Sequence, residues 1–251
     1  MAEIIKKTDE RIIPENFETR NQYLLYLRHL FAYEFAKGML RKGCAVLEIG
    51  CGEGYGTSAL AGKAGMITGL DVDKKTIAHA SEKYGSGKCV FEEYDGTKIP
   101  HSAGTFDAVV SFQTIEHVRD DVNLISEARR VLKKGGVLIL TTPNKTHRIK
   151  SGQWPVNKFH VREYYPKEFE NILKEKFSEV NVRGICGSPE VQKLEAERLR
   201  RKNAIESALN RVARKISSGD RGFLGKYGLN DYHVIKGNIG DSLDLLAVCK
   251  K

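Results

Sequence analysis

The chain has 251 residues, 41% of them hydrophobic, with 41 Lys and Arg against 32 Asp and Glu for a formal charge of +9. That content suffices for one sizeable core and excludes general disorder, and no run of about eighteen apolar residues marks a membrane span. The positive balance permits nucleic acid, anionic lipid or acidic substrates as partners and chooses none of them.

From the N-terminus, "MAEIIKKTDERIIPENF" has no apolar segment of signal-peptide length. "ETRNQYLLYLRHLFAYEFAKGML" sets Leu24, Leu27, Phe31 and Phe35 on one helical face before Gly38, which predicts a long amphipathic helix and a helical cap over residues 1–40. "CAVLEIG" reads as a short buried strand, and "TSALAGKAG" continues from a glycine-rich turn as a helix stopped by Gly65, the first half of a βαβ unit. "MITGLDVD" is a second strand, "KKTIAHASEKYG" a helix closed by Gly85, "KCVFEEYDG" a third strand and "TFDAVVSF" a fourth. In "NLISEARRVLKKGG", Leu124, Ile125, Ala128, Val131 and Leu132 share a helical face, and Gly135 suits a left-handed turn. "GVLILTTPN" is a fifth strand, "PKEFENILKEKF" a helix opened by Pro166, "SEVNVRGICG" another strand and "SLDLLAVCKK" the last. Such β-branched runs spaced by helices predict a doubly wound α/β core over residues 41–187, with its last strand in 241–251.

Residues 188–240 separate the last two strands, well beyond an ordinary connection, and so read as an insert. "VQKLEAERLRRKNAIESALNRVARKISSG" carries Ile205, Leu209, Val212 and Ile216 at helical spacing and a basic cluster at Arg198, Arg200, Arg201 and Lys202. The expectation is a solvated amphipathic helix packed on the core; the alternative is a nucleic-acid or substrate clamp. Cys44, Cys51, Cys89, Cys186 and Cys249 include no C-x-x-C pair and are odd in number, so neither a disulfide framework nor a zinc cluster is signalled, and a soluble protein of the reducing cytoplasm is expected.

The informative stretch is "VLEIGCGEGYG", which places a glycine at every second position after a strand. Gly50, Gly52 and Gly54 let the backbone turn sharply and let a ligand approach, while Glu48 and Glu53 disfavour the phosphate that glycine-rich loops usually hold. Tyr55 stands where the last glycine of a dinucleotide fingerprint would be. Asp71 ends the next strand about twenty residues on, where a carboxylate can accept both hydroxyls of a ribose, and Asp95 beside Gly96 ends the third strand within reach of an adenine amino group. A ligand with adenine, ribose and a nearby cation but no pyrophosphate is S-adenosylmethionine.

Taken in order, "VLEIGCGEGYG", "LDVD", "YDGTKIP", "FDAVVSFQTIEHV" and "RVLKKGGVLILTTPN" resemble the class I S-adenosylmethionine-dependent methyltransferases. "HLFAYEFAKG" and "NKFHVREYYPKEFENIL" are similar to a bacterial and archaeal subgroup linked to sugar or glycan modification. The resemblance implies a Rossmann-like, seven-stranded, mostly parallel sheet whose last strand is antiparallel. It also implies Glu48, Gly50, Cys51, Gly52 and Gly54 around the methionine part of the cofactor, Asp71 and Val72 at the ribose, Asp95 and Gly96 at the adenine, and Phe112 and Gln113 completing the pocket. Cys51 is expected as a small packed residue and not a nucleophile, because the methyl is already activated on sulfur.

Methyl transfer to an oxygen or nitrogen needs an aligned acceptor and a base for its proton. The candidates are Glu116, His117 and His160. Some O-methyltransferases that resemble this stretch carry a metal-binding E-x-x-E-H; here Gln113 replaces the first acid, and no metal is expected. The expected acceptor is a small molecule or a glycan hydroxyl. The alternatives are RNA as acceptor, a non-catalytic cofactor-binding protein, or a nicotinamide-dependent oxidoreductase of shared fold.

Overall fold

The computed structural model describes residues 12, 14, 17–148, 157, 159–203 and 222–251. Helix α1 (Arg20–Met39) begins at Thr19, whose hydroxyl accepts from the Gln22 amide while the Gln22 side chain accepts from the Thr19 amide, a reciprocal cap that satisfies two otherwise orphaned donors. Its buried residues are Leu24, Leu27, Arg28, Ala32, Tyr33 and Ala36, whereas Phe31 and Phe35, expected on the buried face, lie half-buried at its flank. The helix is turned toward Arg28 and Tyr33 because each finds a polar partner inside the protein: Asp244 and Glu195 for the guanidinium, Glu48 for the phenol. Hydrophobic periodicity does not register such pairing.

Strands β1 (Ala45–Ile49), β2 (Met66–Asp71), β3 (Cys89–Glu93), β4 (Phe106–Phe112), β5 (Leu132–Pro143), β6 (Glu179–Gly187), β7 (Tyr232–Ile235) and β8 (Asp244–Lys250) form one sheet in the order β3-β2-β1-β4-β5-β8-β6-β7. The first five are mutually parallel, and β8 runs antiparallel to both β5 and β6. The doubly wound sheet with an antiparallel last strand is therefore present. It has one more strand than the seven expected: β7, inside the stretch read as a helical insert, pairs antiparallel with β6 at the edge. Its sequence, YHVI, is too short for alternation to stand out.

Helices α2 (Tyr55–Ala61) and α3 (Lys74–Tyr84) join α1 on one face; α4 (Asp121–Val131) and α6 (Pro166–Lys174) cover the other. Along β1, Val46 enters the first layer while Leu47 and Ile49 enter the second, and in β8 Leu246 opposes Leu245 and Ala247 in the same way. This is why the strand sequences are apolar at consecutive positions rather than alternating. Each fully buried leucine contributes about 1.5–3 kcal/mol over an exposed one. Gly135 takes the expected left-handed backbone, φ 74°, at a turn counted within β5, where its amide donates to Lys251 O over 2.8 Å.

In the insert, α7 (Pro189–Asn203) buries Val191, Glu195 and Leu199. The predicted apolar positions from Ile205 to Ile216, and the side chains of Arg200, Arg201 and Lys202, lie outside the described residues. All five cysteines are buried free thiols.

The topology brings the carboxyl ends of the parallel strands to one rim. The sheet order reverses direction between β1, which leads outward to β2 and β3, and β4, which leads to β5. Loops diverge at that point and leave a crevice, the usual place for a ligand in such folds. Because β8 is antiparallel and Asp244 pairs with Pro143, the start of β8 arrives at the same rim. The short helix α5 (Lys145–Arg148) follows β5 there.

Candidate functional site

The glycine loop after β1 is held against β2 by Gly50 and Cys51, whose amides donate to Leu70 O over 2.8 and 2.9 Å. Gly50, Gly52 and Gly54 have φ of 77°, 50° and 81°, a backbone region that disfavours side chains. Their surroundings differ. A Cβ on Gly50 would lie 2.3 Å from Thr114 Oγ1, and one on Gly54 would lie 2.8 Å from both Ala80 and Phe91, whereas one on Gly52 would meet nothing within 4 Å. The loop is packed from behind at its two ends and open at its middle.

Glu48 lies beneath this loop, fully buried. Its Oε1 accepts from the Tyr33 phenol and its Oε2 from the Thr57 hydroxyl, each over 2.5 Å. Burial outweighs these two bonds and raises its pKa to about 7. The carboxyl is thus turned into the protein, where it fastens α1 and α2 to the end of β1. Glu53 is 4% exposed, with His79 Nε2 at 3.5 Å. Cys51 is 3% exposed and burial pushes its thiol far above the ordinary range, as suits a packed residue.

Asp71 sits at the end of β2 with one oxygen accepting from Gly52 N over 2.9 Å and the other from Asp73 N over 3.0 Å. It therefore fixes the open middle of the glycine loop, and each carboxylate oxygen retains a further lone pair for a ligand. Beside it Val72 is 60% exposed, and the Cβ direction of Gly96 points 3.2 Å from a Val72 methyl. Asp95 is exposed; its Oδ1 accepts from Thr97 N and Lys98 N, both over 2.8 Å, and these two bonds hold its pKa below the usual value. Asp95 thus builds a turn at the crevice edge.

On the other side of the crevice Phe112 packs edge-on against Tyr33, their rings 4.8 Å apart. Gln113 has φ 51° without being glycine, and its side chain donates to Thr141 Oγ1 over 3.2 Å. Backbone strain of this kind concentrates at functional sites. The turn carries the chain from β4 into the 3₁₀ segment Ile115–His117.

Glu116, His117 and His160 converge: each offers a ligand atom, and those atoms lie within 4.8 Å of one another. Glu116 is 1% exposed, accepts from Thr142 Oγ1 over 3.0 Å, and leaves Oε1 unbonded among the described residues. Burial raises its pKa to about 8. The His117 and His160 rings meet edge to face at 4.8 Å. His117 Nδ1 is 3.1 Å from Phe159 O; a carbonyl only accepts, so Nδ1 carries the proton and Nε2 the lone pair in the neutral ring. His160 Nδ1 donates to Glu163 over 2.6 Å, and its Nε2 faces the Asn157 amide nitrogen at 3.0 Å. The Phe159 amide bonds Asn157 Oδ1 and so fixes that amide's orientation. Burial lowers the His160 pKa in spite of Glu163. This trio could hold a proton-bearing oxygen or a cation, while the Gln113 amide is committed to Thr141 and stays apart from it.

Tyr33, Thr57, Asn157 and Glu163 belong to the site and escape a reading of motifs. Thr57, three residues after Gly54, is the one that helical spacing could have suggested. Asn157 and Glu163 stand three residues to either side of the His160 they hold, but in no motif, and Tyr33 lies on a different element from Glu48. A cavity of about 740 Å³ lies at the amino ends of the strands, among Met39, Cys44, Asp107, Val137 and Val180, away from every residue above.

Residues 47–140 match the family described as a methyltransferase domain. A probable S-adenosylmethionine-dependent methyltransferase of Mycolicibacterium smegmatis is 36% identical over 171 residues, 66% of this chain and 63% of that protein. A probable S-adenosylmethionine-dependent methyltransferase of Mycobacterium tuberculosis is 30% identical over 197 residues, 77% of this chain and 69% of its own length. The ubiquinone biosynthesis O-methyltransferase of Thiobacillus denitrificans is 33% identical over 106 residues, 41% of this chain and 46% of that one. The match thus spans about two thirds of the mycobacterial relatives and under half of the third.

Proposed function

The chain belongs to the S-adenosylmethionine-dependent methyltransferases, and we propose that it methylates a hydroxyl oxygen of a small molecule or glycan. Its cofactor is S-adenosylmethionine, and the residues at the crevice fit it. Gly52 leaves an open cradle, the Asp71 carboxylate stands at the same loop, and Val72 offers an apolar surface that an adenosine would cover. Glu48, Gly50, Cys51, Gly52 and Gly54 would frame the methionine end, Asp71 and Val72 the ribose, Asp95 and Gly96 the adenine, with Phe112 and Gln113 closing the pocket toward the acceptor. When bound, the cofactor supplies a methyl group made electrophilic by its sulfonium.

The rest falls to the chain. The observation that carries the oxygen-directed reading is the Nε2 of His117 next to a buried Glu116 Oε1, both without a hydrogen-bond partner among the described residues. With its pKa near 8, Glu116 holds a proton at neutral pH and can donate it to the acceptor oxygen's lone pair, orienting that oxygen. His117 Nε2 takes the hydroxyl proton as the oxygen attacks. His160, its Nδ1–H bound to Glu163, braces the His117 ring. Phe112 and Tyr33 keep water from the reacting side. The kinship with an enzyme named for O-methylation supports an oxygen acceptor.

The test is calorimetry with S-adenosylhomocysteine and with NAD, followed by transfer of isotope-labelled methyl to a panel of hydroxyl acceptors. Binding of the former alone and label in an ether product are expected. Tight NAD binding without a response to S-adenosylhomocysteine would overturn it.

A further inference from the structure

The end of the sheet away from the crevice takes no part in the steps above. Because β1 to β5 run parallel, the loops that lead into them gather there, and the pairing of Glu179 with Lys250 brings the start of β6 and the close of β8 to the same end. Lys42 precedes β1, Lys63 precedes β2, Lys88 precedes β3, Lys134 lies in the turn of β5 and Lys176 precedes β6. None of these ammonium groups has an ion-pair or hydrogen-bond partner among the described residues. The acids beside them are already engaged: Asp107 holds Arg41 and Lys133, and Glu179 lies 3.9 Å from Lys250.

The distribution of this charge says what it suits. From β3 to β6 the sheet takes six inter-strand steps, so the lysines spread over about 29 Å at about 4.8 Å per step. No single small ligand meets such a row, whereas an extended anionic surface does. Apolar groups stand among the cations. Met39 at the close of α1 is 40% exposed and Met66 at the start of β2 is 51% exposed. The cavity of about 740 Å³ lies here too, with Leu40, Cys44, Val137, Val180 and Val248 in its wall, and Lys174 and Lys250 border both it and a second hollow of about 320 Å³.

Protein interfaces are depleted in lysine, and single-stranded nucleic acid is held by aromatic rings on which its bases stack. The apolar side chains exposed between these lysines are thioethers, which stack no base. Methionine among lysines suits the headgroup layer of a bilayer, where the lysine stem lies along apolar surface and the ammonium reaches phosphate.

We propose that this end of the sheet docks on an anionic phospholipid bilayer, its lysines against headgroup phosphates and Met39 and Met66 in the interfacial layer. The crevice, at the opposite end of the strands, is left open to water. The proposal is independent of the acceptor and of the catalytic steps.

The experiment is co-sedimentation of the full chain with phosphatidylcholine vesicles, with and without a third of phosphatidylglycerol. Binding to the charged vesicles alone is expected, with release when salt rises from about 0.1 to about 1 M and the screening length falls from about 10 to about 3 Å. Lys42→Gln with Lys134→Gln, and separately Lys63→Gln with Lys88→Gln, should each weaken partitioning at least about tenfold, since one lysine near such a surface contributes on the order of fivefold. Both pairs should keep S-adenosylhomocysteine affinity unchanged. Met39→Ser alters no charge and should weaken partitioning severalfold. Lys74→Gln with Lys98→Gln removes the same charge at the crevice end and should leave partitioning within about twofold of wild type. The two test pairs lie apart on the face, so misfolding of one, seen in its melting curve, leaves the other to decide. Absence of binding to charged vesicles, an equal loss in the Lys74 and Lys98 pair, or full partitioning by Met39→Ser overturns the proposal. Tighter binding to a short RNA duplex at equal phosphate, lost in the same lysine pairs, overturns it as well and assigns the face to nucleic acid.

Discussion

The Tyr33 phenol donates to Glu48 Oε1 over 2.5 Å and thereby ties the first helix to the end of the first strand, directly beneath the glycine loop. A Cβ on Gly56 would lie within 1.9 Å of the same ring, so Tyr33 also fixes how closely α2 approaches. Tyr33→Phe keeps the ring and removes the bond. It is expected to lower stability by about 1–3 kcal/mol, the usual cost of leaving a buried acceptor short of a donor, and to weaken S-adenosylhomocysteine binding. Thermal melting and calorimetry on the variant check both.

Glu48 gives the protein a pH dependence of defined sign. Its pKa rises from the ordinary 4.5 to about 7 on folding because burial disfavours the charged form. The folded state therefore holds a proton that the unfolded state has released, so this group's contribution is fully present below pH 4.5 and is lost as pH rises through about 7. The loss approaches about 1.4 kcal/mol per pH unit within that window. Glu48→Gln should flatten the fall; denaturant melts between pH 5 and 8 measure it, and an unaltered slope would assign the dependence to other groups.

Gly52 and Gly54 should separate affinity from stability. Gly54→Ala meets Ala80 and Phe91 at 2.8 Å in addition to a φ of 81°, and is expected to cost at least about 2 kcal/mol of folding stability. Gly52→Ala has only its φ to contend with, about 1–2 kcal/mol, but its methyl enters the open cradle. It should lose proportionally more S-adenosylhomocysteine affinity than stability. Equal losses in both variants would mean that the open side of Gly52 is not where the cofactor sits.

Asp71→Ala removes the anchor for the Gly52 amide together with the acceptor for the ribose. Each charge-assisted bond is worth about 1.5–3 kcal/mol, so a loss of tenfold or more, on the order of 10–100, is expected in affinity by calorimetry.

His117→Ala should reduce turnover by roughly a hundredfold with S-adenosylhomocysteine affinity near normal, since its free Nε2 is the proposed proton acceptor. Glu163→Gln, acting through His160, should shift the pH–rate profile rather than abolish turnover. Full activity in folded His117→Ala would leave positioning as the catalytic device, and EDTA treatment with metal add-back in the same assay tests whether the Glu116, His117 and His160 trio works with a cation.

The fold was legible because long apolar strands and their glycine punctuation carry it; Val46, Leu47 and Ile49 could only be a strand covered on both faces. The glycine turn was legible for a local reason, since the positive φ of Gly50, Gly52 and Gly54 belongs to each residue's own backbone, whereas the neighbours Thr114, Ala80 and Phe91 that press on it are far away in sequence. Pairing across the chain was not. The burial of Arg28 on α1 was not legible because nothing in its neighbourhood names Asp244, more than two hundred positions away, as its partner. Glu48 looked like an acid aimed at a cation because sequence cannot say which way a strand-end carboxyl turns, and Tyr33 and Thr57 turn it inward. Strand β7 was hidden by its four-residue length.

The place of β8 also orders the making of the protein. It lies between β5 and β6, so β6 and β7, and α7 packed with them, reach the rest of the sheet only through a strand that follows them in the chain. During synthesis the first five strands, with their mostly short-range crossovers, can assemble as they emerge, while β6 and β7 wait for Asp244–Lys250 before they have a sheet edge to join. Arg28, buried among partners on α7 and β8, waits with them. A nascent chain can thus close its cofactor crevice well before the far edge of the sheet is in place, and the interval between those two events is set by how quickly the last seven-residue strand threads into the gap.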